Sequence, residues 1–310
     1  MKSKILLSIV SPVYRAEKII PELVKRIDEE VSKFTNSYEI ILVEDCGPDN
    51  SWAAIQQQAL LHKHVKGIKL SRNFGQHYAV TAGLEVASGK YIVIMDCDLQ
   101  DDPALISKIF DEINKGFEIV FTKRQQRGHS VLKSFGSFLF NKFFVLFSDT
   151  NYTIDMGSLV IFSEKVRNAF LQLKEKDRLY IQLLKWTGYK STYMILPHSE
   201  RFEGRSTYNF FSLVKLALQG WTSHSNKLLR LTIYIGATFS ILSFFAIFWI
   251  VYLYFTKGSL SGWTSIVSLL LFSTGIILCS IGITGLYIGK IFEQVKDRPL
   301  YLVDEKLNFE

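Results

Sequence analysis

The chain has 310 residues, 48% of them hydrophobic, with a formal net charge of +7 and a sequence pI near 9.1. This length accommodates one large domain with an appended segment. Cys46, Cys97 and Cys279 are isolated from one another, which argues against a disulfide framework and against zinc-ribbon spacing. Because the sequence has no recognised nucleic-acid motif and no dense basic run, its positive charge predicts an anionic membrane surface or a phosphorylated substrate as partner, not nucleic acid.

Apolar strand-like and helix-like segments alternate along the first part of the chain. Strands are predicted at residues 5–10, 38–43, 65–70, 91–95 and 117–122, and helices at 19–31, 51–61, 75–87 and 103–115. An apolar segment at 159–162, a helix at 179–186 and a strand at 193–196 follow. The alternation predicts an α/β fold with a mostly parallel sheet that is covered by helices on both faces.

Polar side chains follow the predicted strands at the point where each one ends. They lie at residues 11–14, 44–45, 71–73, 96–98 and 123–124. Ligands of such sheets bind beyond the carboxyl ends of the strands. Asp96 and Asp98 close a buried strand, and two carboxylates one residue apart can share a hard divalent cation that in turn holds a diphosphate. The sequence therefore predicts a metal-assisted diphosphate site at this edge.

Two uncharged apolar runs, at residues 231–255 and 263–289, predict a hairpin of two transmembrane helices. Basic residues, including Lys227 and Lys290, flank the outer ends of the hairpin, whereas the loop at 256–262 carries a single lysine. By the positive-inside rule, both termini face the cytoplasm. This predicts a multi-pass protein of the inner (plasma) membrane with its α/β domain on the cytoplasmic side.

These patterns predict four regions. They are an α/β domain at 1–209, an interfacial amphipathic segment at 210–230, the two spans at about 231–255 and 263–289, and a cytoplasmic tail at 290–310. The interfacial segment is proposed because residues 210–218 are apolar on one side and lead toward the membrane.

Several common catalytic signatures are missing from the sequence. It contains no G-x-G-x-x-G, no Walker P-loop and no G-x-S-x-G, which argues against dinucleotide, P-loop and nucleophile-elbow chemistry. His62 and His64 lie in a polar stretch and are interpreted as solvated side chains, not as a metal site. What remains is metal-bound diphosphate chemistry beside a membrane.

A set of motifs over nearly the whole chain resembles the family 2 glycosyltransferases, which have the GT-A fold. More narrowly, the chain is similar to the polyisoprenyl-phosphate glycosyltransferases, the group of dolichol-phosphate mannose synthase and its bacterial undecaprenyl-phosphate counterparts. The matching segments are residues 8–14, 43–49, 70–75, 95–101, 201–208, 287–290 and 298–301. The resemblance implies a GT-A domain, with a Rossmann-like, mostly parallel sheet, at 1–209, followed by the interfacial helix and the hairpin.

The resemblance also implies roles for residues on the donor side. Pro12, Tyr14 and Glu17 would shape the nucleotide pocket, and Asp45 would bond the base. Asp96 and Asp98 would hold the Mg²⁺ or Mn²⁺ that bridges the donor diphosphate and neutralises charge on the leaving group. Gln100, in the same loop, would orient the donor or the metal.

On the acceptor side, the resemblance implies a lipid phosphate held by cationic side chains, because arginine binds phosphate in a bidentate manner. Asp155 matches an Asp-x-Gly segment and would face the acceptor phosphate or the sugar, which makes it a catalytic residue together with Asp96, Asp98, Arg201 and Arg205. The acceptor-phosphate residues implied are Arg124, Arg127, Lys133, Arg201, Arg205 and Ser206.

The sequence departs from the family pattern at a few positions. Glu44 and Cys46 replace a common Asp and Gly around the base-binding turn, and Ser158 stands where many relatives carry a second acid. Residues 182–186 are similar to the Gln-x-x-Arg-Trp element of processive polysaccharide synthases, but Lys185 replaces the arginine and two spans are too few for a polymer channel.

The predicted function is inverting transfer of a sugar from a nucleotide-sugar, a UDP-sugar in preference to a GDP-sugar, to undecaprenyl or dolichyl phosphate at the cytoplasmic face. One alternative is a transferase with another lipid or glycan acceptor. Another is a non-catalytic membrane scaffold of a glycan assembly complex. The expected partners are the nucleotide-sugar donor, the polyprenyl phosphate and the bilayer. The sequence does not decide whether the protein forms a homo-oligomer.

Overall fold

The computed structural model describes residues 5–124, 156–196, 227–257 and 262–309. The chain divides into two compact units, which are treated separately below. The first consists of Met1–Gly128, Thr153–Ser206 and Arg298–Glu310, and the second of His129–Tyr152 and Thr207–Asp297.

The first unit alternates strands and helices, as the sequence predicts. Its strands are β1 (Leu7–Val13), β2 (Tyr38–Glu44), β3 (Val65–Leu70), β4 (Tyr91–Ile94), β5 (Ile119–Arg124), β6 (Met156–Ser163), β7 (Ser191–Leu196) and β8 (Val303–Leu307). Its helices are α1 (Ile20–Val31), α2 (Ser51–Leu61), α3 (Gln76–Val86), α4 (Leu105–Ile113), α5 (Glu164–Gln172) and α6 (Tyr180–Trp186). The helix α5 and the strand β8 are elements that the sequence analysis did not predict.

All eight strands form one sheet in the order β7-β5-β6-β4-β1-β2-β3-β8. The central strands β4, β1, β2 and β3 are parallel, while β6 and β8 run antiparallel to their neighbours β4 and β3. Because β5 is antiparallel to β6 and β7 is parallel to β5, six strands end at the same edge of the sheet. The prediction of a mostly parallel α/β fold is confirmed.

The central strands are buried on both faces, which explains their nearly continuous apolar sequence. Successive side chains of β1 point to opposite faces. Ile9 packs in a core with α1 and α4, and Val10 packs in a second core with α3, α5 and α6. The sheet is therefore held rigidly from both sides.

The helix α3 lies unusually close to the sheet because Gly83 faces it. A methyl group on Gly83 would overlap Cγ1 of Val10 and would lie 3.2 Å from Cγ2 of Val43. The helix begins at Gln76, close to the carboxyl ends of β1 and β2. The close approach at Gly83 thus fixes the position of the first turn of α3.

The strand β8 completes the sheet at one edge. Its neighbour Asn308 donates hydrogen bonds from Nδ2 to the backbone carbonyls of Ala59 and Val65, at 2.7 and 2.8 Å. Glu305 accepts from Trp52 Nε1 at 3.2 Å and pairs with Lys69 at 3.0 Å. Charged side chains are typical of an exposed edge strand, and they hide its strand character in the sequence.

The second unit contains two long helices, α7 (Lys227–Lys257) and α8 (Trp263–Val295). Within them, Leu229–Leu253 and Phe272–Val295 are long and apolar enough to cross a membrane, by length and composition. Both predicted apolar runs fall inside these helices. Of the predicted interfacial segment, residues 210–226 lie outside the described residues.

We expect Gly83→Ala to lower the free energy of unfolding of the first unit by about 1–3 kcal/mol, because α3 must move away from the sheet to accommodate the methyl group. Thermal unfolding of the full chain in detergent, followed by circular dichroism, measures this change.

The matched control is Gly236→Ala in α7, where the same methyl group meets no atom within 4 Å among the described residues, apart from the neighbouring backbone of its own helix. It should leave the midpoint of unfolding of the first unit unchanged. Equal effects of the two substitutions would contradict the close packing of α3.

Candidate active site

A cavity of about 300 Å³ opens at the edge where the parallel strands end. The residues that line it come from the ends of β1, β2 and β4 and from the segment that leads into α3. They are Pro12, Val13, Tyr14, Asp45, Asn73, Gly75, Gln76, Asp96, Cys97 and Asp98. The structure brings five of the predicted site residues together in this cavity, namely Pro12, Tyr14, Asp45, Asp96 and Asp98.

Asp96 and Asp98 lie just beyond β4 and are both partly exposed to the cavity. Asp96 Oδ1 accepts a hydrogen bond from Gln76 Nε2 at 2.6 Å, and Asp98 Oδ1 accepts from the backbone N–H of Gln100 at 3.1 Å. Leu99 has a φ of 56°, a left-handed conformation that is uncommon for a leucine. Such strain persists where surrounding contacts over-determine the backbone, and it turns the chain sharply after the two aspartates.

The thiol of Cys97 lies between the two carboxylates in sequence but differs from them chemically. Burial raises the pKa of Cys97 to about 12, so the thiol is protonated at neutral pH. The charged ligand atoms at this tip are therefore carboxylate oxygens, which suit a hard cation such as Mg²⁺ or Mn²⁺.

Asp45 organises the opposite wall of the cavity. Its carboxylate is 3% exposed and accepts hydrogen bonds from the backbone N–H groups of Phe74 and Gly75 at 2.7 and 2.8 Å. Burial raises the pKa of Asp45, an effect that these two N–H groups and nearby Arg72 oppose. The carboxylate thus holds the segment between β3 and α3 against the end of β2.

Glycine is required at position 75 because its φ is 107°, a conformation that L side chains rarely adopt. The same reasoning explains a departure from the family pattern. Cys46, which replaces a common glycine, has a φ of 51°, so the turn after β2 retains the left-handed conformation that glycine adopts freely.

Two of the predicted donor-side residues do not line the cavity. Glu17 lies nearby, where its backbone N–H donates to Asp49 Oδ2 at 3.1 Å and its Oε2 accepts from the N–H of Asn50 at 3.3 Å. Gln100 is 8% exposed and belongs to the turn that follows Asp98.

The predicted acceptor side falls largely outside the described residues. Arg124 is the last residue of β5, at the same edge as the cavity, and its side chain is not described. The residues outside the described ranges are Arg127, Lys133, Asp155, Arg201, Arg205 and Ser206. Their roles stay predictions.

Ser158, the residue that departs from the common acid, contacts the loop of the two aspartates. Its Oγ donates to Oδ2 of buried Asp101 at 2.7 Å, and its backbone carbonyl accepts from Tyr180 Oη at 3.3 Å. A carboxylate at position 158 would face the Asp101 carboxylate, so serine supplies a donor where an acid would repel.

Sequence reasoning missed Gln76 as a partner of Asp96. Its sequence position could have indicated a role. Gln76 directly follows the motif at residues 70–75 and lies in the first turn of a predicted helix, at the predicted ligand-binding edge. Nothing in sequence spacing links Gln76 to Asp96 twenty residues later, because the contact depends on how closely α3 packs on the sheet.

The mostly parallel α/β sheet, with two aspartates beyond a central strand at its carboxyl edge, defines a glycosyltransferase of the GT-A class. Residues 8–170 match Glycosyl transferase family 2. The chain belongs to this family and is a glycosyltransferase.

Curated relatives match along essentially the whole chain. The Bacillus subtilis (strain 168) protein named uncharacterized glycosyltransferase YkcC is 35% identical, over 100% of this chain and 97% of the relative. An undecaprenyl-phosphate 4-deoxy-4-formamido-L-arabinose transferase of Shewanella sediminis (strain HAW-EB3) is 32% identical, over 97% and 92%. A prophage-derived bactoprenol glucosyl transferase of Shigella flexneri is 30% identical, over 96% and 97%.

We expect Ser158→Ala to lower the free energy of unfolding by about 1–3 kcal/mol, because buried Asp101 loses a hydrogen-bond donor. Ser158→Thr keeps the hydroxyl group and should lie closer to the native protein. Thermal unfolding of both variants measures the difference, and equal stability of the alanine and threonine variants would refute the role of the hydroxyl group.

We expect protonation of His77 to lower the stability of the folded protein in mildly acidic solution. Burial lowers the pKa of His77 to about 4 from a value of 6.5, and its shielded Nδ1 has no hydrogen-bond partner among the described residues. Since the folded state binds the proton less tightly than the unfolded state, stability is lost as the pH falls from 6.5 toward 4.

His77→Phe preserves the ring that packs on Tyr180, at 5.4 Å between ring centroids, and removes this titration. The variant should therefore gain thermal stability relative to the native chain as the pH is lowered from about 7 to about 5. Parallel pH profiles of the two proteins would show that His77 is not the group responsible.

Proposed function

We propose that the protein transfers a sugar from a nucleotide-sugar to a polyprenyl phosphate, with inversion, at the cytoplasmic face of the inner membrane. One observation carries the proposal. The same chain has a cavity lined by carboxylates and two helices that are long and apolar enough to cross a bilayer. The first suits a diphosphate with its cation, and the second suits a substrate that resides in the membrane.

The donor nucleotide occupies the cavity at the carboxyl edge. Asp45 bonds the base, and the pocket around it is shaped by Pro12 and Tyr14, which line the cavity, with Glu17 acting from outside the lining through its contacts with Asp49 and Asn50. The arrangement supports this because the segment from Phe74 to Gly75 is fixed by both oxygens of Asp45, which pre-organises one wall. A UDP-sugar is the favoured donor.

A divalent cation fits the donor set of Asp96 and Asp98. Two carboxylates leave the remaining coordination positions to diphosphate oxygens, an arrangement that Mg²⁺ commonly adopts, and Mn²⁺ accepts similar ligands. The bound cation would neutralise negative charge on the departing nucleoside diphosphate. Gln76 keeps one Asp96 oxygen in place, and Gln100 fixes the turn that presents Asp98.

The acceptor phosphate approaches from the side of β5, which ends at Arg124. An ionised phosphate is already a nucleophile, so attack on the anomeric carbon needs no strong general base. We assign its binding to Arg124, Arg127, Lys133, Arg201, Arg205 and Ser206. Asp155 then faces the acceptor phosphate or the sugar beside the reacting atoms.

The names of two relatives support the acceptor class. One is named for undecaprenyl phosphate and the other for bactoprenol, and the sugars in the two names differ. Nearly full-length similarity to both supports a polyprenyl-phosphate acceptor for this chain. Because the sugars differ between the relatives, the proposal specifies the lipid and leaves the sugar to experiment.

The domain limits complete the proposal. The GT-A domain occupies 1–209, an interfacial segment 210–230, the spans about 231–255 and 263–289, and a cytoplasmic tail 290–310. Basic residues at the outer ends of the apolar runs favour the cytoplasmic side for both termini.

The full chain in detergent or in membranes, with undecaprenyl phosphate, a panel of nucleotide-sugars and Mg²⁺ or Mn²⁺, should form a polyprenyl-phosphate-linked sugar that mass spectrometry identifies. Chelation of the cation should abolish the product. Asp98→Asn removes the charge of one proposed ligand and should lower the rate by about 100-fold or more.

Asp102→Asn is the matched control for this substitution. Asp102 lies in the same loop, is exposed, and accepts from the N–H of Ala104 at 3.0 Å, a bond that asparagine can preserve. Equal activity of the native chain and Asp98→Asn would contradict the metal assignment. A product on another lipid or glycan would point to a different acceptor, and no product from folded protein would favour a scaffold.

A further inference from the structure

Three side chains with metal-ligating atoms meet at the edge of the sheet opposite the cavity. Asp28 comes from α1, His62 directly follows α2, and His64 directly precedes β3. One ligand atom from each lies within 4.8 Å of the other two. The sequence alone presents the two histidines as a solvated pair, and the structure adds the carboxylate that completes the cluster.

The separations in this cluster are close to those of a tetrahedral site. His64 Nε2 lies 2.8 Å and His62 Nδ1 lies 4.0 Å from the carboxylate oxygens of Asp28. Zinc bonds of about 2.0–2.1 Å to nitrogen and about 2.0–2.2 Å to oxygen place neighbouring ligand atoms about 3.3 Å apart. The two measured separations run to different oxygens of Asp28 and lie on either side of this value, and the three side chains are partly exposed, which leaves them room to turn toward one ion.

The backbone around the cluster is fixed before any ion binds. The N–H of His62 donates to the carbonyl of Gln58 at 2.9 Å, and the carbonyl of His64 accepts from Ile40 at 2.9 Å. Tyr38 Oη donates to Oδ1 of Asp28 at 2.8 Å, which orients the carboxylate. A partner of this kind, which bonds a ligand without touching the ion, orients ligands in established metal sites.

Electrostatics at this edge favour a cation. His62 follows the last turn of α2, where the helix dipole places partial negative charge. The Asp28 carboxylate accepts a hydrogen bond from Tyr38 and lies 2.8 Å from His64 Nε2, so it offers oxygen ligands beside the two imidazoles.

We propose that Asp28, His62 and His64 form a binding site for a borderline divalent cation, Zn²⁺ above all, with water in the fourth position. Two imidazoles and one carboxylate suit zinc and do not suit the all-oxygen preference of Mg²⁺. The site joins α1, α2 and β3 at the end of the sheet away from the cavity, roughly 20 Å along the strands. The ion stabilises the fold there and does not touch the reacting atoms.

The test uses the full chain in detergent with both proposed ligands of the cavity metal replaced, Asp96→Asn and Asp98→Asn. This background chain should not bind zinc at the cavity, so any zinc measured is bound elsewhere. Equilibrium dialysis against ZnCl₂ at slightly alkaline pH should show one bound zinc per chain. Zinc at a hundredfold excess over its dissociation constant should raise the midpoint of thermal unfolding by roughly 5 °C.

His62→Gln in the same background should lose the bound zinc and the thermal shift. Lys63→Gln, an exposed residue between the two histidines, should keep both. As an independent readout, Co²⁺ added to the background chain should give the visible absorption of a tetrahedral nitrogen-and-oxygen site. Absence of zinc from the background chain, or equal zinc in the His62→Gln and Lys63→Gln variants, would overturn the proposal.

Discussion

The close contact between α3 and the parallel strands is the constraint on which the cavity depends. At Gly83 the helix lies against Val10 and Val43 with no room for a methyl group. That contact sets the height of the helix over the sheet, and hence the place where its first turn meets the ends of the strands. Gln76 can reach Asp96 from there, and Asp45 can bind the segment before the helix.

The cavity is lined by acidic groups whose charges are stabilised in different ways. Asp45 is deeply buried, and burial raises its pKa in spite of two backbone N–H donors. Asp96 and Asp98 are more exposed, and both line the cavity where a cation could reach them. Asp45 therefore holds the cavity wall in place, while Asp96 and Asp98 face the position proposed for the diphosphate, whose negative charge must be neutralised.

Features with a local cause could be predicted from the sequence, and features that depend on distant contacts could not. The alternation of strands and helices and the polar strand ends predicted that Asp96 and Asp98 lie at the carboxyl edge of the sheet, where the structure has the cavity. The bond from Ser158 to Asp101 joins residues 57 positions apart, and no spacing rule anticipates it. Likewise, His62 and His64 formed a visible pair, but Asp28 joins them only through the packing of α1 beside α2.

The strand β8 shows how an element can be hidden by its own environment. As an exposed edge strand it carries charged side chains, so the usual alternation of apolar and polar residues is absent. A backbone hydrogen bond nevertheless fixes the position of β8. The N–H of Ser71 donates to the carbonyl of Leu302 at 2.9 Å, and Ser71 lies two residues before Asn73, which lines the cavity. Residues Arg298–Glu310 are therefore part of the first unit. They hold β3, and the segment that follows β3 lines the cavity.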